Sequence, residues 1–427
     1  MMAPFSLYLH IPFCLHKCPY CDFNTYAVAQ APEEDYTSAL LAELDYRAAE
    51  EAWNGRPIQT IYFGGGTPSL FSPRSFERII TFLARRFPIE PEVEITIEAN
   101  PGTVHLDNLK GYRSTGINRI SIGAQSFNAQ MLRLLGRVHT VEQTERAVAT
   151  AREAGFRSLS LDLIFALPGQ GMADLKRELR DLMALRPDHI SAYGLTIEKG
   201  TEFYSLYKKG RLKPAPDDRV AEMLREVRVT LAKNDFEQYE ISNYAKLGKK
   251  ARHNLAYWNG EDYLGVGAGA HSMLNCAHGE RMRWSNAAIP NAYIEQACSH
   301  GKAESWCEQL KIKDVLFEFF FLELRKREGI RIPHFKAYFG ATPLELFPGI
   351  IEVLGEKDFL IIENDCLRLT EKGLLVADSV IENFIPDVSV AKRLQQLQAK
   401  IIEFPVAARS AAQSSAPSSK MRLAVGD

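Results

Sequence analysis

No stretch of this 427-residue chain is apolar for long enough to cross a membrane. The best run, Val315 to Leu324, is broken by Glu318 and Glu323, short of the roughly 20 apolar residues a spanning helix needs. The opening residues, Met-Met-Ala-Pro-Phe-Ser-Leu-Tyr-Leu-His, lack the basic start and long apolar core of a secretory signal, so a cytoplasmic location is expected. An excess of either charge is missing too. With 51 Lys and Arg against 53 Asp and Glu, the net charge of -2 gives no general pull toward nucleic acid or an anionic bilayer. The seven cysteines are an odd number with three crowded together, which argues against a disulfide framework and for a reducing compartment. No internal repeat is evident. The hydrophobic share of 46% and charged share of 24% are those of a globular protein, and the length suits one large domain plus a smaller one.

What is present begins with His10-Ile-Pro-Phe-Cys-Leu-His-Lys-Cys-Pro-Tyr-Cys-Asp-Phe. Cys14, Cys18 and Cys21 bring three soft thiolates into one short loop, a donor set for zinc or an iron–sulfur cluster. Three thiolates can hold three corners of a [4Fe–4S] cube and leave the fourth iron open to a small molecule. On spacing alone, a Cys3His zinc site with His10 or His16 as fourth ligand stays open. Zinc loops usually come as two pairs, and no second CxxC occurs in this chain. Cys276, Cys298, Cys307 and Cys366 are scattered and read as ordinary thiols.

Up to about residue 200, short β-rich runs alternate with helical patterns. Strands are predicted at Ser6–Ile11, Gln59–Phe63, Glu92–Glu98, Arg119–Gly123, Ser158–Phe165 and Ile190–Leu195. Helices are predicted at Pro32–Trp53, Ser72–Phe87, Val141–Ala154 and Met172–Leu185. Such alternation implies an α/β fold with parallel strands joined by helical crossovers. Periodicity alone does not separate a partial barrel from an open doubly wound sheet. Polar residues recur at the strand ends. Gly64-Gly-Gly-Thr-Pro-Ser69 follows the second strand, Glu98 closes the third and Gln125 the fourth. Arg137 offers a planar fork suited to a carboxylate, and Asp162 sits inside an apolar strand where a buried acid is costly.

The CxxxCxxC loop, the GGGTP turn one strand later and the strand-end residues together resemble the radical S-adenosylmethionine (SAM) superfamily. The resemblance implies a partial (β/α)6 barrel, a [4Fe–4S] cluster on Cys14, Cys18 and Cys21, and an electron donor for that cluster. It also implies SAM contacts from Tyr8, Tyr20, Gly65, Gly66, Thr67, Glu98, Gln125, Arg137 and Asp162.

Beyond residue 200 a helix, Asp217–Lys233, leads into Glu237–Tyr244 and a glycine-rich stretch, Gly265-Val-Gly-Ala-Gly-Ala-His-Ser272. From about Leu310 to Phe384, helices and a hairpin of Phe359–Glu363 with Cys366–Leu369 resemble a small α+β winged-helix domain. That segment mixes Lys and Arg with Glu and Asp and shows no concentrated basic face, so no nucleic-acid partner is expected. The expected division is a barrel over 1–235, a connecting region over 236–309, a winged-helix-like domain over 310–390 and a disordered Ala/Ser-rich tail over 405–427.

From Tyr8 to Phe384 the order of motifs is similar to the group that contains oxygen-independent coproporphyrinogen III oxidase and the HemW haem chaperones. The oxidases read CxxxCxxCxC, whereas Phe23 stands at the last position here, and they carry an extended segment before a motif whose first cysteine here is residue 14. His253-Asn-Leu-Ala-Tyr-Trp258 matches the HNxxYW sequence of the HemW group. Imidazole is a good axial ligand for haem iron, and Tyr257 and Trp258 offer flat apolar surface to a porphyrin, so His253, Tyr257 and Trp258 are the haem candidates. A structural role for His253, hydrogen-bonded in the core beside a packed Trp258, is the alternative. His271 is a second imidazole candidate. The resemblance thus implies a chaperone that binds cluster, SAM and haem and passes haem to acceptor proteins. The rival is the oxidase, which decarboxylates two propionates with SAM radicals. A winged-helix regulator is disfavoured by the charge balance and the intact barrel motifs.

Overall fold

The computed structural model describes residues 2–401, and the tail expected from residue 405 lies outside them. The chain separates into two compact units, Met1–Asn275 with Arg281–Gln309, and Cys276–Glu280 with the residues from Leu310 on.

The first unit is built on six strands in chain order: β1 (Phe5–Ile11), β2 (Ile58–Gly65), β3 (Ile89–Ala99), β4 (Arg119–Gln125), β5 (Leu159–Phe165) and β6 (His189–Gly194). Each neighbour pair runs parallel. Between them lie α1 (Glu33–Ala49), α2 (Pro73–Arg86), α3 (Leu106–Ser114), α4 (Val141–Glu153) and α5 (Met172–Ala184), and α6 (Asp217–Ala232) follows β6. This is the expected partial (β/α)6 barrel. Phe5, Leu7, Leu9 and Ile11 of β1 are all buried, as in a strand covered on both faces. The helices turn one stripe inward: Phe76, Ile79 and Leu83 of α2, and Leu175, Leu179 and Leu182 of α5. Each such side chain contributes about 1.5–3 kcal/mol by leaving water.

The sheet does not stop at six strands. Two short strands, β7 (Glu237–Gln238) and β8 (Asn243–Ala245), extend it antiparallel beyond β6. After α7 (Arg252–Trp258), β9 (Tyr263–Val266) pairs parallel with the other side of β1. β10 (His271–Asn275), β11 (Arg281–Asn286) and β12 (Glu304–Leu310) continue that edge, with α8 (Pro290–His300) before β12. The strands of the region from 236 to 309 therefore belong to one twelve-stranded sheet with the barrel.

The second unit begins with α9 (Ile312–Glu323), whose Val315, Leu316, Phe319 and Phe320 are buried. Next come β13 (Ile330–Arg331), α10 (Ile332–Phe339), α11 (Pro348–Glu356), β14 (Leu360–Glu363) and β15 (Cys366–Leu369), then α12 (Val388–Ile401). The strands form an antiparallel sheet in the order β13-β15-β14. The expected hairpin is β14–β15, closed by Asn364 and Asp365 at φ 52° and 59°. Asn and Asp tolerate this left-handed pair better than other side chains, which is why a two-residue turn forms there. Among the described residues, no helix is long and apolar enough to cross a membrane.

Candidate cluster and cofactor site

The three cysteines leave β1 at its C-terminal end, where the barrel opens, and all three line one cavity of about 910 Å³. None is in a disulfide and each is partly buried. Burial pushes the Cys14 and Cys21 thiols up from their ordinary range. Each sulfur has a polar neighbour. Thr67 Oγ1 donates to Cys14 Sγ at 3.5 Å, Arg137 Nη1 donates to Cys18 Sγ at 3.5 Å, and Thr25 Oγ1 lies 3.9 Å from Cys21 Sγ. Hydrogen bonds of this kind tune thiolate clusters.

The GGGTP turn is fastened directly to this loop. Gly66 N donates to Ile11 O and Thr67 N to Phe13 O, both at 2.8 Å, and a Cβ on Gly66 would lie 2.6 Å from Phe13 O. Only glycine allows that approach. These amides are therefore engaged within the chain, as is Gly65 N, which donates to Glu98 Oε2 at 3.0 Å. An amino group needs acceptors, which carbonyl oxygens supply.

The other expected SAM residues also line the cavity: Tyr8, Tyr20, Glu98, Gln125, Arg137 and Asp162. Glu98 accepts from Tyr62 OH at 2.8 Å, and burial, with the charge of Asp162 nearby, raises its carboxyl to about 7. Burial raises Asp162 as well, although Ser121 donates to it at 3.2 Å. Arg137 spends one arm on Cys18 and the other on Gly123 O, leaving buried Nε as the unpartnered donor of its fork. Gln125 holds φ 64°, an uncommon backbone for a non-glycine residue at a strand end.

His10 is not a metal ligand in this arrangement. Its Nδ1 lies 2.9 Å from Tyr8 OH and its Nε2 2.9 Å from Asn24 O, so both ring nitrogens are occupied. Among the described residues, no three His, Cys, Asp or Glu side chains converge on a single ion position. Three free thiols with separate hydrogen-bond partners fit a cube that takes each on its own iron.

Two family models match the chain, one within each compact unit. Residues 8–182 match the Radical SAM superfamily and residues 310–376 the HemN C-terminal domain. A solved structure of coproporphyrinogen III oxidase from Escherichia coli superposes with a TM-score of 0.76 over 90% of each chain at 24% identity, which speaks for the fold alone. The heme chaperone HemW of Escherichia coli is 37% identical over 90% of this chain and 99% of its own length. That of Bacillus subtilis is 35% identical over 90% of this chain and all of its own length. The chain belongs to the HemW family. Membership of the radical SAM superfamily implies a [4Fe–4S] cluster and SAM, and the donor set around the cavity fits both.

The HemW-type HNxxYW sequence forms α7, toward the N-terminal half of the barrel strands, where His253 meets Thr60. His253 Nδ1 lies 2.7 Å from Thr60 Oγ1 and Nε2 2.9 Å from Tyr257 OH. The ring stacks on Tyr62 at 5.0 Å, is 2% exposed, and burial lowers its pKa to about 3. His253 and Tyr257 line the cavity wall, but Trp258 and His271 do not.

Several site residues of this HemW-family chain carry no local sequence signal. Arg119 reaches the cavity beside Asp162, where its cation offsets the acid. Glu178 of α5 accepts from Ser126 Oγ (2.5 Å), Phe127 N (2.9 Å) and Gln170 Nε2 (2.9 Å), clamping the turns after β4 and β5. Asn24 Nδ2 donates to Ala268 O and Ala288 O at 3.0 and 2.9 Å, tying the cysteine loop to the glycine-rich segment. A Cβ on Gly267, at φ 109°, would lie 2.5 Å from His10 O. That glycine-rich stretch is a seat for the cysteine loop.

Proposed function

We propose that this chain is a haem carrier that also binds a [4Fe–4S] cluster and SAM and hands haem to acceptor proteins. The observation that carries the reading is the end-to-end similarity to relatives named as heme chaperones. Phe23, at the position where the oxidases have a fourth cysteine, supports it, because a phenyl ring offers the oxidase chemistry no thiol. We divide the chain functionally into a barrel over 1–235, a region over 236–309 that carries HNxxYW, and a winged-helix-like domain over 310–390.

In this reading Cys14, Cys18 and Cys21 hold the cluster. When bound, cluster and SAM supply one-electron cleavage of a sulfonium bond. Thr67, Arg137 and Thr25 stabilise thiolate charge at the three sulfurs. Carbonyl oxygens of Gly65 and Gly66 take the amino group of SAM, Glu98 and Asp162 its polar edge, and Tyr8, Tyr20 and Gln125 complete the wall. Arg119 keeps the interior from accumulating uncompensated negative charge.

The test reconstitutes the cluster anaerobically, adds SAM, reductant and coproporphyrinogen III, and looks for protoporphyrinogen by mass spectrometry. A parallel sample is titrated with haem. The expected result is a stoichiometric haem complex and no decarboxylated tetrapyrrole above control. Protoporphyrinogen formation would overturn the carrier reading in favour of the oxidase.

A further inference from the structure

Three imidazoles line the cavity among the described residues: His16, His189 and His253. An axial ligand to haem iron needs a free ring nitrogen. His189 has none, with Nδ1 2.7 Å from Ser160 Oγ and Nε2 2.8 Å from Tyr239 OH. His253 has none either, being held by Thr60 and Tyr257. His16 is exposed, within the cysteine loop, and has no hydrogen-bond partner among the described residues.

The surface around His16 is also unusual. Four apolar side chains on the cavity wall are turned to solvent: Leu15 at 56%, Phe23 at 64%, Val138 at 60% and Tyr193 at 45% exposure. Residues that both line a cavity and stand exposed form its mouth. Single exposed apolar residues are ordinary, but four around one opening mark a binding surface. Lys17 donates Nζ to Phe23 O at 3.4 Å and Thr25 O at 3.2 Å, which holds its cation beside Phe23, and Asp22 and Glu198 also line the cavity. A flat apolar ring with carboxylates on one edge is complementary to an apolar mouth that holds a cation beside Phe23.

We propose that haem lies across the mouth of the cavity, against Leu15, Phe23, Val138 and Tyr193, with His16 as its iron ligand. This rests on the haem-carrier reading and adds the site to it. Phe23 then serves as an aromatic platform where a fourth cysteine would otherwise stand. Haem at the mouth sits outside the cysteine loop, so an acceptor protein can reach it without opening the barrel.

The test uses the full chain with its cluster, titrated with ferric haem and followed by the Soret band and by electron paramagnetic resonance of the haem. Wild type is expected to show an imidazole-ligated spectrum. His16→Ala is expected to lose that signature and weaken binding about tenfold or more. Phe23→Glu with Val138→Glu is expected to weaken binding while keeping the imidazole signature. All three side chains are exposed, so the substitutions leave the core alone. If wild type binds haem but His16→Ala matches it in spectrum and affinity, the proposed site is wrong and the carrier reading stands. If wild type binds no haem, both fall. Loss of the imidazole signature in His253→Gln with His16 intact would also overturn the proposal.

Discussion

Glu98 is a buried carboxyl in the cavity wall. It is drawn in by Tyr62 and Gly65 N, yet it shares a confined space with Asp162. Because folding raises its pKa to about 7, Glu98 favours the folded chain fully only below the unfolded value, and that contribution fades as pH climbs through 7. Glu98→Gln should therefore stabilise the cluster-free chain at pH 8 by about 1–2 kcal/mol, after allowance for cavity water, and have no such effect near pH 4.5. Denaturant melts at the two pH values check this, and an equal effect at both would contradict it. The same substitution should weaken SAM binding by calorimetry. Asn24 is the opposite kind of residue, uncharged and positional. Asn24→Ala and Asn24→Asp both lose the donor pair to Ala268 and Ala288. Both should shed cluster iron on desalting several times faster than wild type while melting within about 1–2 kcal/mol of it. Iron retention equal to wild type would show that the tie is not needed. The acids were legible in the sequence because a carboxylate in an apolar strand is conspicuous. Asn24 was not, because its partners are separated from it by 244 and 264 residues.

At the scale of elements, the six barrel strands and their helices could be read from period and punctuation, with boundaries off by a few residues. β1 and β5 are nearly continuous apolar runs, and α2 and α5 keep one apolar stripe. The strands of the extended edge could not be read, since β9 has only four residues and β12 is largely exposed. What fastens that edge is equally hidden. Glu43 of α1 is fully buried and accepts from Gly267 N at 3.1 Å, Asn286 Nδ2 at 2.8 Å and Tyr293 OH at 2.8 Å. Arg47, one turn on, lies 3.6 Å from it and reaches Glu304 at 2.7 Å. One helix thus pins the glycine-rich segment, β11, α8 and the start of β12. Glu43→Ala should cost about 3–5 kcal/mol, because it leaves a buried cation and several donors short of partners. Glu43→Gln should recover part of that loss. A denaturation midpoint for Glu43→Ala equal to wild type would contradict this account of the edge.

Across the whole molecule, the cysteine spacing and the GGGTP turn made the superfamily legible, and HNxxYW with Phe23 narrowed it to one group. The site itself needed the three-dimensional arrangement. The motif histidine, His253, is conspicuous in sequence yet has no free nitrogen, while His16 stands out in sequence only as a possible zinc ligand. A haem carrier must both hold haem and give it up. The most direct measurement loads the cluster-bearing chain with haem, removes excess, and mixes it with an apo-haemoprotein of distinct Soret maximum. The acceptor's spectrum is expected to grow in faster than from free haem at the same concentration, with the chain returning to its haem-free spectrum. Haem that stays on the chain, or reaches the acceptor no faster than free haem does, would contradict the carrier reading.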